Sequence, residues 1–205
     1  MTWEHGNELL QRFNPAYDKG QTREAVGYAL PAVWEVLGGY GPPPHADAQI
    51  ATARDAFAGY LMFDALIANT DRHHENWAVV QPRSGAGWLS PSFDHATSFG
   101  FQEPEDRKAA FLREPGAMVA WVERGRSSHF EEKPTLLALA RQGMQRSRAG
   151  AQQHWRDRLE FLTEEEWETT IVRIPAELMS QADRTFASEI IGLNRDRLLD
   201  ACWPD

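Results

Sequence analysis

A dense polar run, Asn69-Thr70-Asp71-Arg72-His73-His74-Glu75-Asn76, separates two apolar stretches and constrains this chain more than any other segment. Upstream, Ile50, Ala53, Phe57, Leu61, Met62 and Leu66 recur at near-helical spacing, so one long helix is expected from residue 47 to about residue 68. Arg54, Asp55 and Asp64 lie inside it, which is wrong for a transmembrane span. Downstream, Trp77-Ala78-Val79-Val80 reads as a short strand, residues 82–87 as a turn and Trp88-Leu89 as a second strand. Together they predict a small hairpin. The polar run therefore sits where a helix hands the chain to a hairpin, and Ser92-Phe93-Asp94-His95 follows the returning strand.

The rest reads mostly as helix. Residues 1–20 are mixed and end in a turn-like Asn14-Pro15-Ala16-Tyr17-Asp18-Lys19-Gly20. Thr22 is expected to cap a helix carrying Val26, Leu30, Val33 and Leu37, broken or kinked at Pro31 and ended by Gly38-Gly39. Pro42-Pro43-Pro44 is a stiff connector. In the second half, residues 115–124 form one helical segment, and Pro134 suits the first turn of another that runs through Met144. Thr163 and Glu166 have capping-box spacing. Ser180 with Asp183 opens a last helix bearing Phe186, Ile190, Leu193 and Leu198. The expected fold class is mainly α with a small β-hairpin.

Charge and cysteine usage narrow the function classes. The 21 Lys and Arg stand against 30 Asp and Glu, a formal charge of −9, and each half of the chain is acidic. No direct duplex DNA binding is expected, because that needs a basic stripe. No stretch is apolar over the ~18 residues of a membrane span. The single cysteine, Cys202, excludes an intrachain disulfide and a multi-cysteine zinc site. It shows no neighbouring base to activate it. With no signal-peptide pattern at the start, a cytoplasmic location is expected.

The polar cluster suits phosphoryl transfer. Asp71 and, five residues on, Asn76 lie on one loop, and Asp94 returns a second carboxylate after the hairpin. One carboxylate can orient a hydroxyl and take its proton. A second, with an amide oxygen, makes a hard donor set for Mg²⁺. Protein kinases use the same Asp-to-Asn interval followed by a metal-binding Asp. Ser92-Phe93-Asp94-His95 departs from the Asp-Phe-Gly order. His73, His74 and His95 with Glu75 raise a zinc hydrolase as an alternative, but neighbouring residues do not share a helix face and no H-E-x-x-H occurs.

The order Asp-Arg-His, rather than His-Arg-Asp, resembles the HipA-like kinases and, more distantly, the phosphatidylinositol kinases. Ile67-Ala68-Asn69-Thr70-Asp71-Arg72-His73-His74-Glu75-Asn76-Trp77 is similar to the HipA catalytic loop, and Leu89-Ser90-Pro91-Ser92-Phe93-Asp94-His95 to its metal-binding segment. His5-Gly6-Asn7-Glu8-Leu9-Leu10 with Pro15-Ala16-Tyr17-Asp18 resembles the start of that family's C-terminal lobe. The resemblance implies one kinase-like C-terminal lobe over 1–205. Its lead-in is 1–20, helices, catalytic loop and metal hairpin occupy 21–102, and a helical remainder fills 103–205. It implies Asp71 as catalytic carboxylate, and Asn76 and Asp94 as cofactor-binding Mg²⁺ ligands. Arg72 and His73 would support the loop or meet phosphate oxygens. The implied reaction moves the γ-phosphoryl group of ATP to a hydroxyl, in the family usually a protein Ser or Thr, and an antitoxin is an implied partner.

Two expected kinase parts do not appear in the sequence. Neither G-x-G-x-x-G nor G-x-x-x-x-G-K-[ST] occurs, and the lysines are Lys19, Lys108 and Lys133, of which only Lys19 precedes Asp71. The N-terminal lobe is therefore expected to be absent from this chain, with weak ATP binding unless a separate N-lobe joins it. A catalytically inactive pseudokinase or interaction module, and a small-molecule phosphotransferase of the antibiotic type, stay open as alternatives. The latter typically carries His-x-Asp instead.

Overall fold

The computed structural model describes residues 1–23, 25–201 and 203; Cys202 lies outside the described residues. The fold is mainly helical, with one three-stranded antiparallel sheet of order β1-β2-β3 among those residues. The strands are β1 (Thr2–His5), β2 (Ala78–Gln81) and β3 (Trp88–Leu89). The expected hairpin is β2 with β3, in register Val79 opposite Leu89 and Val80 opposite Trp88. Strand β1 is an addition: it pairs along the other edge of β2, Thr2 opposite Gln81 and His5 opposite Ala78. Nothing near residue 2 announces that pairing, because its partner is remote in sequence.

Nine helices accompany the sheet among the described residues: α1 (Gly6–Phe13), α2 (Leu30–Leu37), α3 (Ala53–Leu66), α4 (Glu105–Arg113), α5 (Pro115–Glu123), α6 (Leu136–Arg146), α7 (Ala149–Glu160), α8 (Glu164–Val172) and α9 (Gln181–Ala201). Two expected boundaries need correction. The helix expected from residue 47 begins only at Ala53, because Thr52 caps it. The Thr52 hydroxyl accepts from the Asp55 N–H, and the Asp55 carboxylate accepts from the Thr52 N–H, both at 3.1 Å. Pro31 does not break a helix; it lies in the first turn of α2, where a missing N–H costs nothing. Val26 consequently lies outside any helix and is 76% exposed.

Helix α3 is the axis of the core. Its Ala53, Ala56, Phe57, Ala58, Leu61, Met62, Ala65 and Leu66 are all buried, and it packs against α6, α7 and α9. Small residues set the close approaches. A Cβ on Gly143 of α6 would sit 3.2 Å from Leu61, and one on Gly59 would collide with the Trp155 ring of α7. Asp55, fully buried, also accepts from the backbone N–H and Nε of Arg148 at 3.0 and 2.9 Å, which joins the start of α3 to that of α7. The C-terminal end of this rigid helix carries the polar run. No helix among the described residues is long and apolar enough to cross a membrane.

Candidate active site

The polar run leaves α3 through Ile67 and Ala68, the latter at φ +54°. Two buried side chains then set the loop. Asn69 donates from Nδ2 to Asp64 Oδ1 at 2.7 Å, and its Oδ1 accepts from the Asp71 N–H and from Thr97 Oγ1. Arg72 makes a bidentate pair with the same Asp64: Nε to Oδ2 and Nη2 to Oδ1, each 2.7 Å. Arg72 and Asp64 are each only 2% exposed. Buried charges survive when paired and fully hydrogen-bonded, and this pair is. The carboxylate holds Arg72 above the usual arginine value against the opposing effect of burial, the largest single influence.

The remaining donors of Arg72 bring the two halves of the site together. Nη1 donates to the Asn76 carbonyl at 2.6 Å and to the Phe93 carbonyl at 3.4 Å, and Nη2 to Ser92 Oγ at 2.9 Å. Asn76 and the residue before Asp94 thus share one guanidinium. These bonds support the loop by joining it to the segment of Ser92 and Phe93. His95 belongs to the same knot, with Nε2 2.8 Å from Ser92 Oγ and 3.3 Å from Arg72 Nη2. Burial, then Arg72, lower its pKa.

Asn76 is buried and its Nδ2 donates to the Asp71 carbonyl at 2.7 Å. That bond fixes the amide orientation and leaves Oδ1 as the atom that could ligate a cation. Asp94 is exposed and adopts φ +56°. A non-glycine residue pays roughly 1 kcal/mol for that conformation, which the flanking Arg72 bonds sustain. The donor set that results, one carboxylate and one amide oxygen, suits a hard cation that keeps several waters.

Asp71 is the partly exposed carboxylate of the loop, with a side chain 33% accessible. Its Oδ1 lies 2.5 Å from Nε2 of His129, whose Nδ1–H donates to the Thr22 carbonyl at 2.6 Å. Sequence reasoning missed His129. It lies on a loop far along the chain, held by Ser127 Oγ and by the Ser128 N–H on the Thr70 carbonyl, and no local pattern marks it. His73 stacks near it, ring centroids 5.1 Å apart, and accepts the Glu75 N–H on Nδ1. Burial lowers the His73 pKa, with Asp71 pulling the other way.

The back of the loop is equally fixed. The Tyr28 hydroxyl, fully buried, donates to the Arg72 carbonyl and accepts from Trp77 Nε1. The Tyr17 hydroxyl lies 2.6 Å from His74 Nδ1. His5 Nδ1 lies 2.8 Å from the Glu75 carbonyl, and Asn7 Nδ2 donates to Glu75 Oε1. The His-Gly-Asn stretch near the N-terminus is therefore built against the loop. His73, His74 and Glu75 offer ligand atoms within 4.8 Å of one another; the Nδ1 atoms of both histidines are taken by the bonds just described, which leaves Nε2 as the atom each could offer, that of His74 being buried without a hydrogen-bond partner. Of the lysines, Lys108 is buried and paired with Asp183 at 2.7 Å, which removes it as a phosphate clamp.

On this helical fold, the structure brings a loop carboxylate, an amide five residues on and a carboxylate beyond a hairpin onto one buried framework. The comparisons show the fold to be kinase-like. The fold is similar to the crystal structure of the Helicobacter pylori proinflammatory kinase CtkA, with a TM-score of 0.70 over 98% of this chain and 67% of that one, at 14% identity. A curated protein of Sinorhizobium fredii (strain NBRC 101917 / NGR234), "Putative kinase Y4dM", is 30% identical over 98 residues, or 45% of this chain. The match spans 24% of that relative's length. No family model matches the chain.

Proposed function

We propose that this chain is a HipA-like phosphotransferase domain that moves the γ-phosphoryl group of ATP to the hydroxyl of a protein Ser or Thr. One observation carries the reading: the Arg72 guanidinium binds the Asn76 carbonyl, the Phe93 carbonyl and Ser92 together, so the loop bearing Asp71 and the segment bearing Asp94 are one assembly. Asn76 Oδ1 and the Asp94 carboxylate would hold Mg²⁺, which when bound neutralises phosphate charge. Asp71 orients the attacking hydroxyl and accepts its proton on Oδ2, because Oδ1 is occupied by His129. His129 keeps the carboxylate in one rotamer, and Thr22 keeps His129 in place. Phosphoryl transfer depends mainly on such positioning.

The test is phosphoryl transfer from radiolabelled ATP with Mg²⁺, onto the chain itself and onto a mixed Ser/Thr protein acceptor. At ATP concentrations high enough to offset the weak binding expected without an N-lobe, wild type should transfer label and Asp71→Asn should not, while circular dichroism and melting stay unchanged. Equal labelling by Asp71→Asn would remove Asp71 from the role. No labelling by wild type, with Mn²⁺ still bound at Asn76 and Asp94, would favour a non-catalytic module.

A further inference from the structure

Behind the catalytic loop lies a cavity of about 420 Å³ whose contents the phosphoryl-transfer site does not explain. Its wall reaches Thr70 and Thr97 but includes none of Asp71, Arg72, His73, Asn76 or Asp94. Four arginines line it: Arg107, Arg124, Arg126 and Arg197. In an acidic chain this concentration of one charge is unusual. The volume matches a small phosphorylated metabolite or a phosphorylated side chain with its neighbours.

Three of these arginines are anchored without being neutralised. Arg124 Nε donates to the Ala120 carbonyl, Arg126 Nη1 to the Lys133 carbonyl, and Arg197 Nη1 to the Val122 carbonyl and Asn194 Oδ1. Each bond is to a neutral oxygen, so it orients the guanidinium and leaves its charge and remaining N–H groups free. Burial lowers the Arg197 pKa, opposed only by nearby Glu123, which marks a cation short of a counter-charge. The one carboxylate on the wall, Glu103, is already committed to Arg107 at 3.5 Å and to Trp121 Nε1 at 3.0 Å.

A second feature points the same way. Leu136 and Leu137, the first two residues of the eleven-residue α6, also line the cavity. In that first turn the Leu136 N–H is bonded to the Gly125 carbonyl and the Ala138 N–H to Thr135 Oγ1, so what the turn offers an anion is chiefly the positive end of the helix dipole. Gly100, at φ +62°, lets the segment after Asp94 close the opposite wall. A Cβ there would sit 2.7 Å from Phe186 and 3.1 Å from Trp121.

We propose that this cavity is a binding site for a phosphomonoester, distinct from the phosphoryl-transfer residues. Planar guanidinium forks match phosphate oxygens in pairs, and a dianion satisfies three unneutralised arginines better than a carboxylate does. The wall shares Thr70 and Thr97 with the loop: the Thr70 carbonyl receives the Ser128 N–H, and Thr97 Oγ1 donates to Asn69. An occupied cavity therefore stiffens the two segments that carry Asp71 and Asp94. The proposal does not rest on the chain being a phosphotransferase.

The experiment is calorimetric titration of the full chain with inorganic phosphate, O-phosphoserine and AMP, at low and high salt. Saturable binding in the millimolar range or tighter is expected for inorganic phosphate and for at least one ester. The better ester tells a phosphorylated side chain from a nucleotide. Arg124→Gln with Arg126→Gln, both exposed positions, should weaken binding by roughly tenfold or more without changing the ligand-free melting temperature. Arg141→Gln, at an exposed arginine outside the cavity wall, should bind as wild type. Absence of binding by all three probes, or unchanged affinity in the double arginine variant, overturns the proposal, as does an equal loss of binding in Arg141→Gln.

Discussion

His129 stands between two acceptors: its Nε2 is 2.5 Å from Asp71 Oδ1 and its Nδ1 is 2.6 Å from the Thr22 carbonyl. The Nδ1–H of the imidazole is given to Thr22, and Nε2 faces the Asp71 carboxylate. This contact ties two distant parts of the chain, the Thr22 and His129 loops, to the Asp71 carboxylate.

His129→Gln should reduce phosphoryl transfer up to about 100-fold through lost orientation of Asp71, since small misplacements at the reacting centre cost that much. The effect should fall on kcat, with KM for ATP little changed. Steady-state kinetics beside His129→Asn separate the role from mere packing, because Asn is shorter and should restore less. Equal kinetics for wild type and His129→Gln would show that Asp71 holds its geometry unaided.

Arg72→Ala should cost about 3–5 kcal/mol, because it strands the Asp64 carboxylate in the core. Urea unfolding measures it. Asp64→Asn should cost less, since Asn can still bond Asn69. The double variant should be less destabilised than the sum, with a coupling of about 1–3 kcal/mol. Additive losses would mean that the two charges do not depend on each other.

Gly59→Ala should destabilise the protein, against the ordinary helix preference for alanine of about 1 kcal/mol. The added methyl meets the Trp155 ring, whose Nε1 is anchored to the Asp55 carbonyl at 3.0 Å. Overpacking exceeds the propensity gain, for a net loss of about 2 kcal/mol. Trp155→Phe should relieve part of it in a thermal melt.

Stability should fall in acid. Burial brings His74 down to about 4 from the ordinary histidine value near 6.5, so the unfolded chain binds the extra proton first. Its contribution is complete above about pH 6.5 and is lost as pH falls toward 4, in all about 3 kcal/mol. Melting temperature measured across that window should drop for wild type and drop less for His74→Gln. Parallel curves would place the acid sensitivity elsewhere.

What the sequence revealed was local. The hairpin of β2 and β3 was legible because two short apolar runs flank a turn, and the Asp71, Asn76 and Asp94 spacing because all three lie on consecutive elements. Asp64 was visible only as a charge interrupting a helix; its use, to neutralise Arg72, needs the loop folded back on the helix end. His129, Tyr28 and strand β1 act across long separations, and no short pattern encodes such partners. The cap at Thr52 was readable in principle from Thr52 and Asp55, but the apolar period began earlier and hid it.

Strand β1 also bears on the order in which the molecule assembles. Thr2 pairs with Gln81 and His5 with Ala78, so the strand leaves the ribosome well before its partner exists. Until then its N–H and C=O groups face water or another chain. Closing so long a segment is slow, and distant pairing of this kind lengthens folding times. Once β1 docks, His5 and Asn7 seize Glu75 beside it. The loop that carries Asp71 is thus completed by contacts with a strand remote from it in sequence.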